Sequence, residues 1–459
     1  MRVFGVIWHV PLIFMAACFT AVLWLVPFGV EMLTGDPEYP SRATLAAFAT
    51  LLSLLGLGIT WALGLYSRRQ RAGLAGLGMR AFAGTLLAGF LAYVISRMTG
   101  IGEINGTNIL INTLVAAFIS GSVVALISSL INDDIFRRKV LVYGCGIQAQ
   151  SIAALRRRVD QRGFRIVGFV RGVDEVVEVA PERLATPNGS LLHLARELEA
   201  DEIVMAMDDR RRNFPLGELL ECRLDGIEII ELVTFLERET GKVHIDVLNP
   251  SWLIFGAGFR RDALRRSSER IFDVVASTLL LLGAAPIMLL TALAIIIESG
   301  PRAPVFYRQR RVGFRGSEFE VVKFRSMAVD AEKNGAVWAT DNDSRVTRVG
   351  TVIRKLRIDE LPQILNVLKG DMSFVGPRPE RPEFVAQLSE SIPYYNERHW
   401  VKPGITGWAQ LCYPYGASER DAIEKLQYDL YYVKNHSLLF DFMVLAQTAE
   451  VVLLGKGAR

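Results

Sequence analysis

Two carboxylates lie side by side at Asp359 and Glu360, in a stretch crowded with fixed positive charge. Arg354, Lys355 and Arg357 flank them, and Arg378 follows between Pro377 and Pro379. An acid pair ringed by cations suits a centre that handles phosphates through a divalent metal. Carboxylates hold hard cations, and guanidinium groups grip phosphoryl oxygens in pairs. The competing reading is a surface acid pair neutralised by its arginines, so the surroundings must decide. Pro362 lacks an N–H and disfavours a helical Leu361, which predicts a helix break or restart beside the pair. Residues 362–369 then read as a short helix ended by Gly370.

Further charges recur nearby. Residues 318–323 read as a strand that delivers Lys323 and Arg325 to one edge. Residues 393–410 add Glu397, Arg398 and Lys402 and the tight turn Pro403-Gly404-Ile405-Thr406-Gly407-Trp408, and Asp429 and Asp441 come later. Core packing alone gives such charges no reason to cluster. The four cysteines (Cys18, Cys145, Cys222, Cys412) form no C-x-x-C pair, and the five histidines are equally scattered. A zinc signature and a disulfide framework are both missing, so any metal should be a hard cation on oxygen ligands.

The elements that position these groups begin with membrane. The chain has 459 residues, 51% of them hydrophobic, with a net charge of +4 and mean hydropathy +0.28. That is too apolar for an ordinary soluble protein. Apolar stretches at 10–30, 43–66, 79–95 and 108–131 are each about long enough to cross a hydrocarbon core. Glu31, Asp36 and Glu38 dominate the first loop, Arg68, Arg69, Arg71 and Arg80 the second, and Arg97 and Glu103 the third; Arg137, Arg138 and Lys139 follow the fourth stretch. The positive-inside rule therefore puts both ends and the second loop in the cytoplasm. The first stretch runs well past Met15-Ala16-Ala17-Cys18, which favours an uncleaved span over a lipoprotein signal. A fifth stretch, 271–297, is broken by Ala285-Pro286. Arg260, Arg261, Arg265, Arg266 and Arg270 precede it, and Arg302, Arg308, Arg310 and Arg311 follow. Both flanks ask for the cytoplasm, which predicts a helix kinked at Pro286 that enters the membrane and returns on the same side; a plain span is the rival. The basic flanks lack interleaved aromatics, so lipid phosphate is a better partner for them than nucleic acid.

Between these apolar regions, residues 140–143, 165–170, 202–207 and 226–231 read as strands, with helices at 148–158 and 190–199. The turn Gly144-x-Gly146-x-x-Ala149 has the spacing that lets a phosphate approach a helix N-terminus. No acid ends the second strand, where Arg171 and Gly172 stand and Asp174 comes too late to bind a ribose. The chain also lacks any Tyr-x-x-x-Lys, the pair that short-chain dinucleotide-dependent sugar dehydratases and epimerases use. A membrane-bound NAD-dependent nucleotide-sugar dehydratase or epimerase is thus the weaker alternative, and a non-enzymatic scaffold is a third.

Residues 267–459 resemble the bacterial polyprenyl-phosphate hexose-1-phosphate transferases, the large monotopic phosphoglycosyl transferases of exopolysaccharide and O-antigen assembly. The matching motifs are the proline-broken helix, Y-R-Q-x-R-V-G at 307–313, K-F-R-S-M at 323–327, D-E-L-P-Q at 359–363, V-G-P-R-P at 375–379 and P-G-I-T-G-W-A-Q at 403–410. Ala285 departs from the Ser-Pro of some relatives. The resemblance implies a membrane α plus α/β protein in three parts: a four-helix transmembrane bundle (1–136), a Rossmann-like cytoplasmic domain (137–262) and a monotopic catalytic domain (263–459) with a re-entrant helix at 271–297. It implies transfer of hexose 1-phosphate from a UDP-hexose to undecaprenyl phosphate at the cytoplasmic face of the bacterial inner membrane. Asp359 would be the nucleophile and Glu360 the ligand of Mg²⁺. Lys323, Arg325, Arg357 and Arg378 would bind phosphoryl oxygens, with Asp441 as a supporting acid; by residue type alone Asp441 reads equally well as the N-cap of the last helix. No cofactor is implied for the Rossmann-like part, and a homodimer is compatible with it. The sugar transferred is not legible.

Overall fold

The computed structural model describes residues 2–3, 6–7, 10–34, 40–66, 74–99, 105–130, 137–155, 164–173, 175–186, 189–209, 213–248, 263–329, 345–413 and 418–453. The expected loop charges Asp36, Glu38, Arg68, Arg69, Arg71 and Glu103 lie outside these residues, as do Asp174, Arg260, Arg261 and the last turn (156–158) of one expected helix. Contacts divide the chain into two compact units, Met1–Thr240 and Gly241–Arg459.

The first unit opens with α1 (Val10–Thr34), α2 (Arg42–Ala62), α3 (Leu74–Thr99) and α4 (Gly106–Leu130). Each is long and apolar enough to cross a membrane. Each packs on the next, and α1 also packs on α4, so the set closes into a bundle. Phe19, Leu23 and Leu52 fill its interior, while Phe14, Leu25, Leu54, Phe90 and Phe118 point outward. Small residues bring α3 and α4 together: a Cβ on Gly78 would come within 3.1 Å of the Gly121 carbonyl oxygen. Close backbone approach of this kind maximises van der Waals contact where no hydrophobic force separates helix from lipid.

The same unit continues with β1 (Arg138–Tyr143), α5 (Ile147–Ala153), β2 (Phe164–Val170), α6 (Leu191–Glu197), β3 (Glu202–Met205), α7 (Leu216–Leu224), β4 (Glu228–Glu231) and α8 (Leu232–Thr240). The strands form one parallel sheet in the order β2-β1-β3-β4. Val140, Leu141, Val142, Ile203 and Val204 are wholly buried, as the continuous apolar runs of a sheet covered on both faces require.

The strand order changes direction between β1 and β3, the place where such sheets commonly take a ligand. Here the glycine turn after β1 already holds anions, and they belong to the protein. Asp208, just past β3, accepts from the N–H groups of Ile147 (3.0 Å) and Gln148 (2.8 Å) at the start of α5. Glu175 accepts from the N–H groups of Cys145 (2.9 Å), Gly172 (3.2 Å) and Asp208 (3.0 Å). The glycines make room for this: a Cβ on Gly146 would sit 2.0 Å from Asp208 Oδ2. Gly144, at φ +130°, lies so close to β3 that a Cβ would meet the Ala206 carbonyl oxygen at 2.2 Å.

The second unit is mixed α/β. Its first long helix, α9 (Ala263–Ser299), contains Pro286 and is the fifth helix long and apolar enough to cross a membrane. Leu279, Leu282, Leu289, Leu290 and Ile297 on it are exposed, while Asp273, Ser277 and Ile295 are buried. An antiparallel hairpin follows, β5 (Phe306–Val312) paired with β6 (Glu318–Phe324) from Phe306↔Phe324 to Val312↔Glu318. Next come α10 (Arg348–Lys355), α11 (Gln363–Lys369), β7 (Ser373–Val375), α12 (Pro382–Ser391), β8 (Gly404–Thr406), α13 (Trp408–Cys412), α14 (Glu419–Asn435) and α15 (Leu438–Leu453). β7 and β8 pair in parallel. Val367, Met372, Phe374, Trp408, Tyr428, Tyr432 and Val444 form the core beneath them. The unit begins at Gly241, whose carbonyl accepts from the Trp408 indole N–H at 2.9 Å.

Removing the carboxylate that caps α5 should weaken the sheet-bearing part of the first unit. Asp208→Ala leaves two N–H groups without their acceptor, and an N-cap of this type contributes about 1–2 kcal/mol. The expected result is an earlier thermal unfolding transition of the purified full-length chain in detergent. A transition that does not move would refute the capping role.

Candidate active site

The acid pair sits in a tight 3₁₀ turn, Ile358–Glu360. The chain enters it through Arg357, a non-glycine residue in the left-handed region at φ 56°. Leu361 is right-handed helical despite the proline that follows (φ −55°, ψ −37°). The break expected at Leu361 therefore falls at Arg357: the 3₁₀ turn runs straight into Pro362 and α11, overriding the pre-proline preference. Strain at a positive-φ arginine, of the order of 1 kcal/mol or more, persists because its neighbours fix the turn. Gly370 closes α11 at φ 100°, the helix end that the sequence predicts.

Glu360 is the electrostatic centre. Its Oε1 accepts from Lys323 Nζ at 3.0 Å and from Arg378 Nη2 at 3.2 Å. Its Oε2 lies 3.7 Å from Arg357 Nη1, an ion pair too long for a hydrogen bond. Burial alone would raise the Glu360 carboxyl, but Lys323 and Arg378 outweigh it and hold the group well below the usual carboxylate range. Asp359 behaves in the opposite way. Burial and the negative charge of Glu360 push its carboxyl up, against the pull of Lys323 and Arg354. Adjacent acids in different environments thus have divergent proton affinities, a recurring mark of functional carboxylate pairs. Burial also pushes the Lys323 amine down, with Glu360 opposing.

Each cation is delivered by a fixed element. β6 carries Lys323, and Asn366 of α11 straps that strand down, donating to the Glu320 carbonyl (2.6 Å) and accepting from the Val322 N–H (3.0 Å). Arg378 follows the turn Gly376-Pro377, which interlocks with the turn at Pro403. The Gly376 N–H donates to the Thr406 carbonyl (2.9 Å) and the Gly404 N–H to that of Pro377 (3.0 Å). A Cβ on Gly376 would meet the Lys402 carbonyl oxygen at 2.3 Å, and one on Gly407 would meet that of Gly376 at 2.1 Å. The two glycine-rich motifs are spelled that way because their backbones touch.

Several supports were not assigned roles from the sequence. Gln410 Oε1 accepts from Arg378 Nη1 at 3.3 Å. Arg398, buried, donates to Asp429 (3.1 and 2.7 Å), to the Tyr395 hydroxyl (2.8 Å) and to the backbone carbonyl of Arg378 (3.1 Å). Their signal in the sequence is the charged stretch 393–410, the motif at 403–410 that ends in Gln410, and the acid Asp429.

The remaining sequence-derived candidates fall as follows. Arg325 follows Lys323 at the end of β6, is 6% exposed, and has Nε and Nη2 without hydrogen-bond partners. Asp441 lies inside the first turn of α15, where the Tyr432 hydroxyl contacts it at 2.7 Å and also lies 3.1 Å from the Val375 carbonyl. Burial pushes its carboxyl up to about 7. It is not the N-cap of the helix, because Ser437 Oγ accepts the capping bond from the Phe440 N–H. Among the described residues no three His, Cys, Asp or Glu side chains cluster to hold a metal. The residues that would hold a hard cation are the acid pair, whose member Glu360 is kept well below the usual carboxylate range and has Oε2 in an ion pair longer than a hydrogen bond. That suits an ion that takes one or two carboxylates and completes its shell with substrate oxygens and water.

The sequence profile of the family described as "Bacterial sugar transferase" matches residues 264–455. The chain is 44% identical over 241 residues to the UDP-N-acetylgalactosamine-undecaprenyl-phosphate N-acetylgalactosaminephosphotransferase of Aeromonas hydrophila, covering 52% of this chain and 56% of that one. It is 41% identical over 338 residues to the UDP-glucose:undecaprenyl-phosphate glucose-1-phosphate transferase of Xanthomonas campestris pv. campestris, covering 70% and 68%. It is 34% identical over 331 residues to the undecaprenyl-phosphate glucose phosphotransferase of Komagataeibacter xylinus, covering 70% and 60%. The match thus spans little more than half of the first of these relatives.

The pair's electrostatics can be tested with substitutions of opposite sign. Glu360→Gln removes the like charge beside Asp359 and should move its titration to lower pH. Lys323→Met removes a favourable cation and should move it to higher pH. Carbodiimide labelling of the peptide that contains Asp359, followed by mass spectrometry across pH, reads both. Shifts in the same direction would refute the assignment.

Proposed function

The chain belongs to the bacterial sugar transferase family, and from that premise we propose that it moves a hexose 1-phosphate from a UDP-hexose to undecaprenyl phosphate. The products are UMP and undecaprenyl-diphospho-sugar, the lipid-linked start of an exopolysaccharide or O-antigen. The observation that carries this reading is the acid pair itself: one carboxylate kept ionised by Lys323 and Arg378, its neighbour raised in basicity.

In this reading an Asp359 carboxylate oxygen attacks the sugar-bearing phosphorus of the donor. The bond from that phosphorus to the bridging oxygen breaks, and UMP leaves with the oxygen. A phosphate oxygen of the polyprenol then attacks the aspartyl phosphosugar, and the Asp359 carboxylate is regenerated. A carboxylate destabilised by burial is a more basic nucleophile than a solvated one. Two displacements also mean that the water-borne nucleotide sugar and the lipid-borne phosphate need not occupy the site together. Arg378, Lys323, Arg357 and Arg325 bind and orient phosphoryl oxygens; Nε and Nη2 of Arg325 have no hydrogen-bond partner in the protein. Glu360 would hold Mg²⁺ together with donor oxygens. Bound there, the ion would neutralise the diphosphate and the departing UMP.

The same reading treats α1–α4 as a transmembrane bundle, the parallel sheet as a Rossmann-like cytoplasmic domain and α9 as a re-entrant helix. The active site then lies at the cytoplasmic face of the inner membrane, within reach of both substrates. The named relatives divide between glucose and N-acetylgalactosamine, so the sugar is a matter for assay.

The test is a panel of UDP-sugars with undecaprenyl phosphate, scored for UMP and labelled lipid. Asp359→Asn should lower turnover by at least about 10³-fold without loss of the folded membrane protein. Donor without acceptor should add the mass of a hexose phosphate to the peptide spanning residue 359. Because the nucleophile must be ionised and its proton affinity is raised, activity should fall as pH drops through a value above the ordinary aspartate range of about 3.9. Normal turnover in Asp359→Asn would reject the assigned role.

A further inference from the structure

Helix α9 reaches the site with two charged side chains on one face. Arg270 and Asp273 are three residues apart, the spacing of neighbours on a helix surface. Arg270 donates to the carbonyl oxygens of Val367 (2.7 Å) and Leu368 (2.5 Å) in the last turn of α11. A helix end leaves its final carbonyls without partners, and a guanidinium complements the negative end of the dipole. Asp273 Oδ1 accepts from Ser373 Oγ (3.0 Å) and from the Phe374 N–H (3.3 Å) in β7. Asp273 is 1% exposed, and its Oδ2 has no hydrogen-bond partner.

The two targets are not arbitrary parts of the unit. α11 begins just past Glu360, and β7 ends just before the turn that carries Arg378. Arg270 therefore grips the element that follows the acid pair, and Asp273 grips the element that precedes its cation. A half-satisfied buried carboxylate is a poor choice for packing, since an apolar residue of like size would fill the place without desolvating a charge. What it adds is direction: both its donors lie on one strand, and both tie that strand to the helix.

We propose that Arg270 and Asp273 are positioning residues, a clamp through which α9 sets the separation between Glu360 and Arg378. On the transferase reading given above, the seat of this helix in lipid would thereby set the geometry of the phosphate site.

The test uses the full-length protein in nanodiscs, with rates normalised to folded enzyme. Asp273→Ala should lower kcat for UMP release about 10-fold or more, with a smaller change in KM. Asp273→Asn should recover most of that loss, because its amide oxygen still accepts from Ser373 and Phe374. If the clamp acts through Arg378, Asp273→Ala should add little in an Arg378→Lys background, a failure of additivity expected of coupled residues. Hydrogen exchange in the peptide covering residues 372–378 should rise in Asp273→Ala. Should that variant not accumulate, Ser373→Ala, which deletes one donor, is read in the same way with a smaller loss. Wild-type turnover in Asp273→Ala, multiplicative losses with Arg378→Lys, or an Asn variant no better than Ala would each overturn the proposal. If the wild-type chain releases no UMP from any UDP-hexose, the transferase reading fails by itself. The exchange data then decide the clamp, with an unchanged rate overturning it.

Discussion

A single oxygen of Glu360, shared between Lys323 and Arg378, is the point at which three segments distant in sequence meet. A buried carboxylate with one partner rarely recovers its desolvation cost. Two charge-assisted donors on one oxygen, with Arg357 beside the other, turn the balance, and the group stays ionised. The dependence is mutual: Lys323, pushed down by its own burial, is stabilised by that same carboxylate. Neither charge is at ease in this place without the other, so the hairpin, the acid turn and the arginine turn are held together or not at all.

Side chains can converge in this way only because backbones come closer than side chains would allow. Gly376, Gly404 and Gly407 let two turns touch, and Asn366 lets a helix serve as the hydrogen-bond partner of a strand edge. The first unit uses the same means to a different end. There, glycines admit Asp208 and Glu175 to a ring of N–H groups, and the anion is built in. In the second unit Lys323, Arg357 and Arg378 all address the one carboxylate of Glu360.

Elements were legible where their signal is local. Apolar runs marked the four bundle helices and α9, and alternation or buried runs marked β1, β2, β3 and β6, because period and length need only a short window. The acid pair and its basic neighbourhood were legible for the same reason. The break at Arg357 was not: the pre-proline rule is a preference, and a 3₁₀ turn anchored on both sides overrides it at Leu361. The filled glycine turn was also hidden, since its acids stand 30 and 61 residues away from the N–H groups they accept. Gln410, Arg398 and Asn366 act through tertiary contacts that no periodicity records, and the cap of the last helix is Ser437 rather than Asp441 because the helix starts one turn earlier than the acid implies.

The rigidity of these supports bears directly on how phosphate would be handled. Long cationic side chains lose rotamer freedom when they grip a ligand, and water must reorient around them unless they are already in place. Here that cost is met on folding. The backbone of Arg378 is held by Arg398, itself fixed by Asp429 and Tyr395; the guanidinium rests on Gln410 and Glu360; and Lys323 is pinned through its strand to α11. An incoming diphosphate would therefore meet a field that exists before it arrives. The charge that develops on a departing nucleotide would be stabilised by groups with little left to reorganise. Cations immobilised in advance suit the phosphoryl transfer proposed above, and a surface acid pair neutralised by mobile arginines would need none of this scaffolding.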